Sequence, residues 1–153
     1  MTDVAPHALR VSRRIRASRE RLYEAWTAPE QLRYWWRMDG PGWSFTFAEV
    51  DLRVGGAYRL AMTDPAGNTH VAAGVYRELA PPDRLAFTWD WENPAMSVGE
   101  TLVAIELRDA GDGTTDVVLT HSRFPSAERA TSHEQGWMQL LALVEAHVGE
   151  PES

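Results

Sequence analysis

The chain contains no cysteine. That excludes disulfides and thiol chemistry and fits a reducing compartment, so a cytoplasmic location is expected. Basic surface is scarce as well. The formal net charge is −7 and the pI lies near 5.2, with nothing resembling the basic stripe that nucleic acid requires. The one basic cluster (Arg10, Arg13, Arg14, Arg16, Arg19, Arg21) alternates along a predicted strand and helix and reads as a solvated face. No apolar run approaches the roughly 18 residues of a membrane span, and no apolar signal segment opens the chain. The five histidines, His7, His70, His121, His133 and His147, never take tight metal-ligand spacing, and no thiolate supports a zinc site. Gly55-Gly56 stands before no helix, so it makes no phosphate loop. Ser97 and Ser122 lack a nucleophile elbow and an evident Asp partner, which leaves a hydrolase triad unsupported. The expectations are no nucleic acid, no membrane span, no metal and no cofactor.

What the chain does have is tryptophan, seven in 153 residues. Trp26 lies in a helical stretch, Trp35-Trp36 follow a second one, and Trp43 opens a strand. Trp89 and Trp91 share an alternating strand, and Trp137 sits inside the last helix. Leu and Val would fill a small core. Large flat indoles, each with an N–H to satisfy, suit an interior that meets something polar or variable. Two readings stay open: an over-aromatic core, or an aromatic-lined cavity for a planar or apolar ligand. Hydrophobic content of 44% and charged content of 24% place the chain with ordinary globular domains, and its length allows one domain with a real core.

Leu9, Val11 and Ile15 predict a first strand over about 8–17. Ser18 is a good N-cap for the helix that follows, with Glu20 in its first turn and Leu22, Ala25 and Trp26 on one face. Thr27 and Glu30 have capping-box spacing around Pro29 and predict a second helix, with Leu32, Trp35 and Trp36 inward. A meander follows. Trp43, Phe45 and Phe47 alternate with polar residues, as do Tyr58, Leu60 and Met62. The segment from Asp64 to Asn68 is a turn. A strand over 69–79 carries Gly74 as an expected bulge. Leu85, Phe87, Trp89 and Trp91 point one way. Val103, Ile105 and Leu107 repeat the period, and so do Val117, Leu119 and His121. The last helix is predicted from about 132 to 148. It is capped by Thr131 with Glu134 or by Ser132 with Gln135, and its inner face is His133, Trp137, Leu140, Leu141, Val144 and Val148. Gly136 within it costs on the order of 1 kcal/mol of helix propensity, so it admits either a close neighbour or a cavity.

The order is strand, two short helices, about six strands, one long helix. The expected fold is α+β: a curved antiparallel sheet of six to seven strands wrapped on the C-terminal helix, the only element long enough to cover it. The gap between a curved sheet and one helix is a natural cavity. The inward residues expected to meet a ligand there are Trp26, Trp36, Met38, Tyr58, Leu60, Met62, Phe87, Trp89, Trp91, Val103, Ile105, His121, His133, Trp137 and Leu141. No catalytic residue is assigned. His121 reads as a polar handle at one end of a greasy cavity, placed to satisfy the Trp137 indole or a ligand carbonyl. His133 and Trp137, one turn apart, read as a pair anchoring the helix start. His70 beside its turn is expected to be exposed, and Asp90 and Glu92 to be solvated strand-end charges.

These residues in this order resemble the helix-grip domains of the START-like (SRPBCC) superfamily, and within it the branch named for the activator of heat-shock protein 90 ATPase. The resemblance runs through Ala25-Trp26-Thr27-x-Pro29-Glu30-x-Leu32-x-x-Trp35-Trp36 and Asp51-x-Arg53-x-Gly55-Gly56-x-Tyr58. It continues in Gly74-x-Tyr76-x-Glu78-Leu79-x-Pro81-Pro82-x-Arg84-Leu85-x-Phe87-x-Trp89, in Leu119-Thr120-His121 and in His133-x-x-Gly136-Trp137-x-x-x-Leu141. It covers about residues 9–148, implying one START-like domain over 1–153 that binds a small hydrophobic or aromatic molecule. The superfamily also holds lipid carriers and polyketide cyclases, so a cyclase- or hydrolase-like enzyme and an interaction module stay open as alternatives. A homodimer is compatible with it. The heat-shock ATPase activators carry a further N-terminal domain for which this chain has no room, so a chaperone partner is not expected.

Overall fold

The computed structural model describes residues 7–38 and 40–149. Strand β1 (His7–Ile15) leads to Ser18, whose hydroxyl accepts the Arg21 N–H at 3.1 Å and starts α1 (Arg19–Thr27). Helix α2 (Pro29–Leu32) is a single turn, and its Ala28 cap makes no side-chain bond. The expected capping box is absent. Thr27 completes α1 and donates its hydroxyl to the Tyr23 carbonyl, four residues back, at 2.8 Å. A side chain spent on the preceding helix cannot cap the next one.

Six strands follow: β2 (Ser44–Val50), β3 (Ala57–Thr63), β4 (Thr69–Ala80), β5 (Arg84–Trp91), β6 (Thr101–Gly111) and β7 (Thr114–Phe124). All neighbours pair antiparallel in one seven-stranded sheet ordered β1-β7-β6-β5-β4-β3-β2. The first strand thus docks on the last. Helix α3 (Ala127–Val148) leaves β7 and buries Ala130, Trp137, Leu140, Leu141, Val144 and Val148 against the sheet. This is the helix-grip arrangement.

The structure changes three further local expectations. In β2 the register shifts between Phe45 and Phe47. Trp43 and Phe45 pack on the core, after which Ala48 and Val50 do, while Phe47 takes the Arg59 guanidinium over its ring at 5.1 Å. One extra residue flips every later side chain to the other face. In β4 the register shifts between Tyr76 and Glu78 rather than at Gly74. Gly74 is needed for a close approach instead: a Cβ there would lie 2.0 Å from the Thr88 carbonyl oxygen. Finally, α3 begins more than a turn before residue 132. Ser126 caps it, accepting the Arg129 N–H at 3.1 Å, while Ser132 donates to the Arg129 carbonyl inside the helix. Ser126 follows Pro125, is the first capping side chain after β7, and pre-empts the later ones.

One end of the grip is filled. Ile15, Leu22, Leu107, Val117, Val144 and Val148 are buried there. Arg13 reaches Glu145 at 2.6 Å, and Arg21 donates to the Val148 carbonyl at 3.2 Å.

Candidate functional site

The other end is hollow. A cavity of about 400 Å³ lies under the first half of α3. Trp36, Met62, Trp89, Trp137 and Leu140 form its interior. Met38, Trp43, His70, Trp91, Ala95, Met96, Arg129, Ser132, His133 and Gly136 complete the wall. The indoles prop one another at edge-on or tilted angles. Trp89–Trp137 centroids are 5.0 Å apart, Trp36–Trp89 5.8 Å and Trp36–Trp137 6.2 Å. Rings held this way cannot slide inward to fill the space. Above them an added Cβ on Gly136 would meet no atom within 4 Å. Close packing is therefore not what this glycine serves; it leaves the cavity room.

Two histidines lock the cage. The Trp137 indole N–H donates to His121 Nδ1 at 2.9 Å, so His121 carries its hydrogen on Nε2. That nitrogen donates to Thr101 Oγ1 at 2.7 Å, and the Thr101 hydroxyl donates to the Trp89 carbonyl at 2.6 Å. The Trp91 indole donates to His133 Nε2 at 3.0 Å, while His133 Nδ1 donates to the Arg129 carbonyl at 2.9 Å. Each pair spans the gap, in opposite senses: Trp137 on α3 binds His121 on β7, and Trp91 on β5 binds His133 on α3. The expected His133–Trp137 anchor is thus replaced by two ties from helix to sheet. Burial, then the repulsion that two imidazolium charges so close would suffer, pushes His121 down to about 2; burial also lowers His133. Both stay neutral with both ring nitrogens engaged, so His121 has no free lone pair for general base chemistry.

Three other indoles are not so served. The N–H groups of Trp26, Trp36 and Trp89 are buried and find no acceptor among the described residues. All three border a void of about 10 Å³ behind the cavity, room for one oxygen-sized group. Trp35 is the contrast, donating to the Ala25 carbonyl at 2.9 Å.

The rim carries the polar chemistry. His70 is half-buried and lines the cavity rather than standing exposed. Its Nε2 lies 2.9 Å from Asp64 Oδ2 and its Nδ1 3.2 Å from Met96 Sδ. Asp64 is pinned by the turn it opens, Oδ1 accepting the backbone N–H of Ala66 and Asn68. The His70 bond, with those amides, holds the Asp64 carboxyl below its ordinary range. Asp90 is half-buried rather than a free strand-end charge: its carboxylate accepts from Trp91 N, Val98 N and the Ser97 hydroxyl, tying down the loop that carries Met96. Glu92 pairs with Arg59 at 2.7 Å.

Of the residues expected to meet a ligand, Trp36, Met38, Met62, Trp89, Trp91, His133 and Trp137 line the cavity. Trp26, Tyr58, Leu60 and Phe87 line only the small void. Val103, Ile105, His121 and Leu141 border neither and pack within the core. The inward period gives the face but not the depth at which the gap opens. Trp43, His70, Ala95, Met96, Arg129, Ser132, Gly136 and Leu140 also line it and lie outside the expected set. Most come from loops, strand starts and the first turns of α3, where inward periodicity says little about depth.

The fold and cavity define a helix-grip protein of the START-like class. The family described as "Activator of Hsp90 ATPase homolog 1-like protein" matches residues 16–149, and the chain belongs to it. Among solved structures, a protein from Chromobacterium violaceum is 30% identical. It covers 95% of this chain and 99% of its own, with a TM-score of 0.82. A Rhodobacter sphaeroides protein is 25% identical, covering 92% of this chain and 91% of its own, with a TM-score of 0.77. The AHSA1 protein of Silicibacter pomeroyi is 23% identical, covering 91% of this chain and 95% of its own, with a TM-score of 0.78. No curated protein matches. No helix among the described residues is long and apolar enough to cross a membrane.

Proposed function

We propose that the protein binds a small, flat, largely apolar molecule in the cavity between sheet and α3. The observation that carries this reading is the set of buried indole N–H groups without an acceptor, two of them, on Trp36 and Trp89, in the cavity wall. A buried donor left unpaired costs about 1–3 kcal/mol. A core selected only for stability would replace such groups with hydrocarbon. An aromatic guest with a carbonyl or ether oxygen at its inner end repays that cost and fills the cage at once. Burying about 300 Å² of its apolar surface supplies roughly 7 kcal/mol before the cost of immobilisation, enough for micromolar binding.

Gly136 offers the test. Titration with an apolar fluorescent probe should quench tryptophan emission in the native protein. In Gly136→Phe, which puts a ring into the cavity, it should not. Mass spectrometry of small molecules released on denaturation should recover an aromatic compound bearing an acceptor oxygen. Equal probe binding by both proteins would place the probe elsewhere and defeat the reading.

A further inference from the structure

His70 is the one imidazole at the cavity not used in holding the cage together. His121 and His133 each spend both ring nitrogens on protein partners. His70 spends one. Asp64, ionised and acceptor-only, takes the Nε2 hydrogen. In the neutral ring Nδ1 then carries a lone pair, and its neighbour is a thioether, Met96 Sδ, the weakest partner a protein offers. Methionine is unbranched and repacks at little cost. A base oriented by a carboxylate, with its free nitrogen screened only by a movable side chain at a cavity wall, is the arrangement of a proton acceptor awaiting a guest.

Arg129, in the first turn of α3, lines the same cavity. Elsewhere on the sheet Arg59 pairs with Glu49 and Glu92, and Arg84 with Glu78 and Glu106. Arg129 lines the cavity and its guanidinium meets no carboxylate among the described residues. The positive end of the helix dipole adds to it. The titratable groups around His70 are Asp64 from the β3–β4 turn, and Arg129 and His133 from α3. Glu92 and Glu100, in the segment that carries Met96, do not line the cavity, and Asp90 at the end of β5 turns its carboxylate to Ser97 and Val98 of that segment.

Resting on the ligand-binding reading above, we propose that His70 and Asp64 form an acid–base dyad that takes the proton of an acidic hydroxyl, phenolic or enolic, on the bound aromatic molecule. The ligand O–H bond breaks and its electron pair stays on oxygen. The proton passes to His70 Nδ1, and the imidazolium is held by the Asp64 carboxylate. Arg129 stabilises the oxyanion. The ligand class narrows to aromatic or enolic compounds with a weakly acidic hydroxyl facing the rim.

The test uses 4-nitrophenol, whose phenolate absorbs separately from the neutral form, and 4-nitroanisole, which has the same shape but no acidic proton. With saturating protein, bound 4-nitrophenol should ionise about one pH unit below the free compound, a tenfold shift. His70→Gln and Asp64→Asn should each return ionisation to the free value while tryptophan quenching by 4-nitroanisole persists. Arg129→Gln should lose part of the shift and keep the rest. If bound 4-nitrophenol ionises no lower than in solution, or the shift survives in both dyad variants, the dyad is wrong. If 4-nitroanisole binds and 4-nitrophenol does not, the dyad again fails while the cavity reading stands. If neither quenches tryptophan, the cavity reading falls and takes the dyad with it.

Discussion

Leu140 and Leu141 are consecutive on α3 and both are buried, yet they face different interiors. Leu141 packs among core side chains; Leu140 borders the cavity. The two ends of the grip differ in the same way. At the filled end, branched aliphatic chains of several sizes interdigitate. At the hollow end, indoles and imidazoles dominate the wall, held by directional hydrogen bonds or by contacts between rings. Aliphatic chains can change rotamer to close a gap, whereas indoles wedged against one another, two of them also tied at the N–H, cannot. Space in this fold is kept by those ring contacts together with the Trp91 and Trp137 hydrogen bonds.

The largest effect separating the two ends should come from that leucine pair. Leu141→Ala creates a new cavity in packed surroundings and should cost about 2–5 kcal/mol in urea denaturation. Leu140→Ala only enlarges an existing space and should cost clearly less. Equal losses would mean the hollow end is as tightly packed as the other.

Next comes acid sensitivity. His121 is held near 2 when folded, against about 6.5 unfolded. A neutral folded imidazole contributes fully above that unfolded value. Its contribution is lost as pH falls, because only the unfolded chain takes up the proton. Stability should drop by about 1.4 kcal/mol per pH unit from this group, or about 2 kcal/mol between pH 6.5 and 5. His133, also lowered by burial, adds to the slope. His121→Gln should flatten the profile in that window, measured by denaturation at each pH. An unchanged slope would show that His121 is protonated without unfolding and that the cage is looser than its hydrogen bonds imply.

The smallest effect is a gain. Gly136→Ala should stabilise by about 1 kcal/mol through helix propensity, because its methyl meets open space, and should leave probe binding intact. A loss of stability would mean that the helix sits closer to its neighbours than 4 Å.

Much of this was legible in the residues. The period-2 faces of β3, β5, β6 and β7 place Met62, Trp89, Ile105 and His121 inward, as observed. The His121–Trp137 bond follows from one inward imidazole in an apolar face and one inward indole that must donate. The extra residue in β2, the helix start at Ser126 and the Thr27 back-bond were not legible, because each depends on which of two equally good local partners a side chain finds first. The dyad was hidden for a related reason. Asp64 reads as a turn former and His70 as the residue after it, and nothing in that spacing tells that the ring turns inward under Met96.

The sequence by itself determined the strand–helix order, the inward faces and the concentration of indoles at one interior. Those follow from periodicity and from the chemistry of single side chains. Tertiary structure decided where the interior stays open, which indoles find acceptors and which do not, and which histidine keeps a free nitrogen. These depend on the distance between a curved sheet and the helix that crosses it. That distance is set by side chains tens of residues apart, whose packing no local pattern encodes.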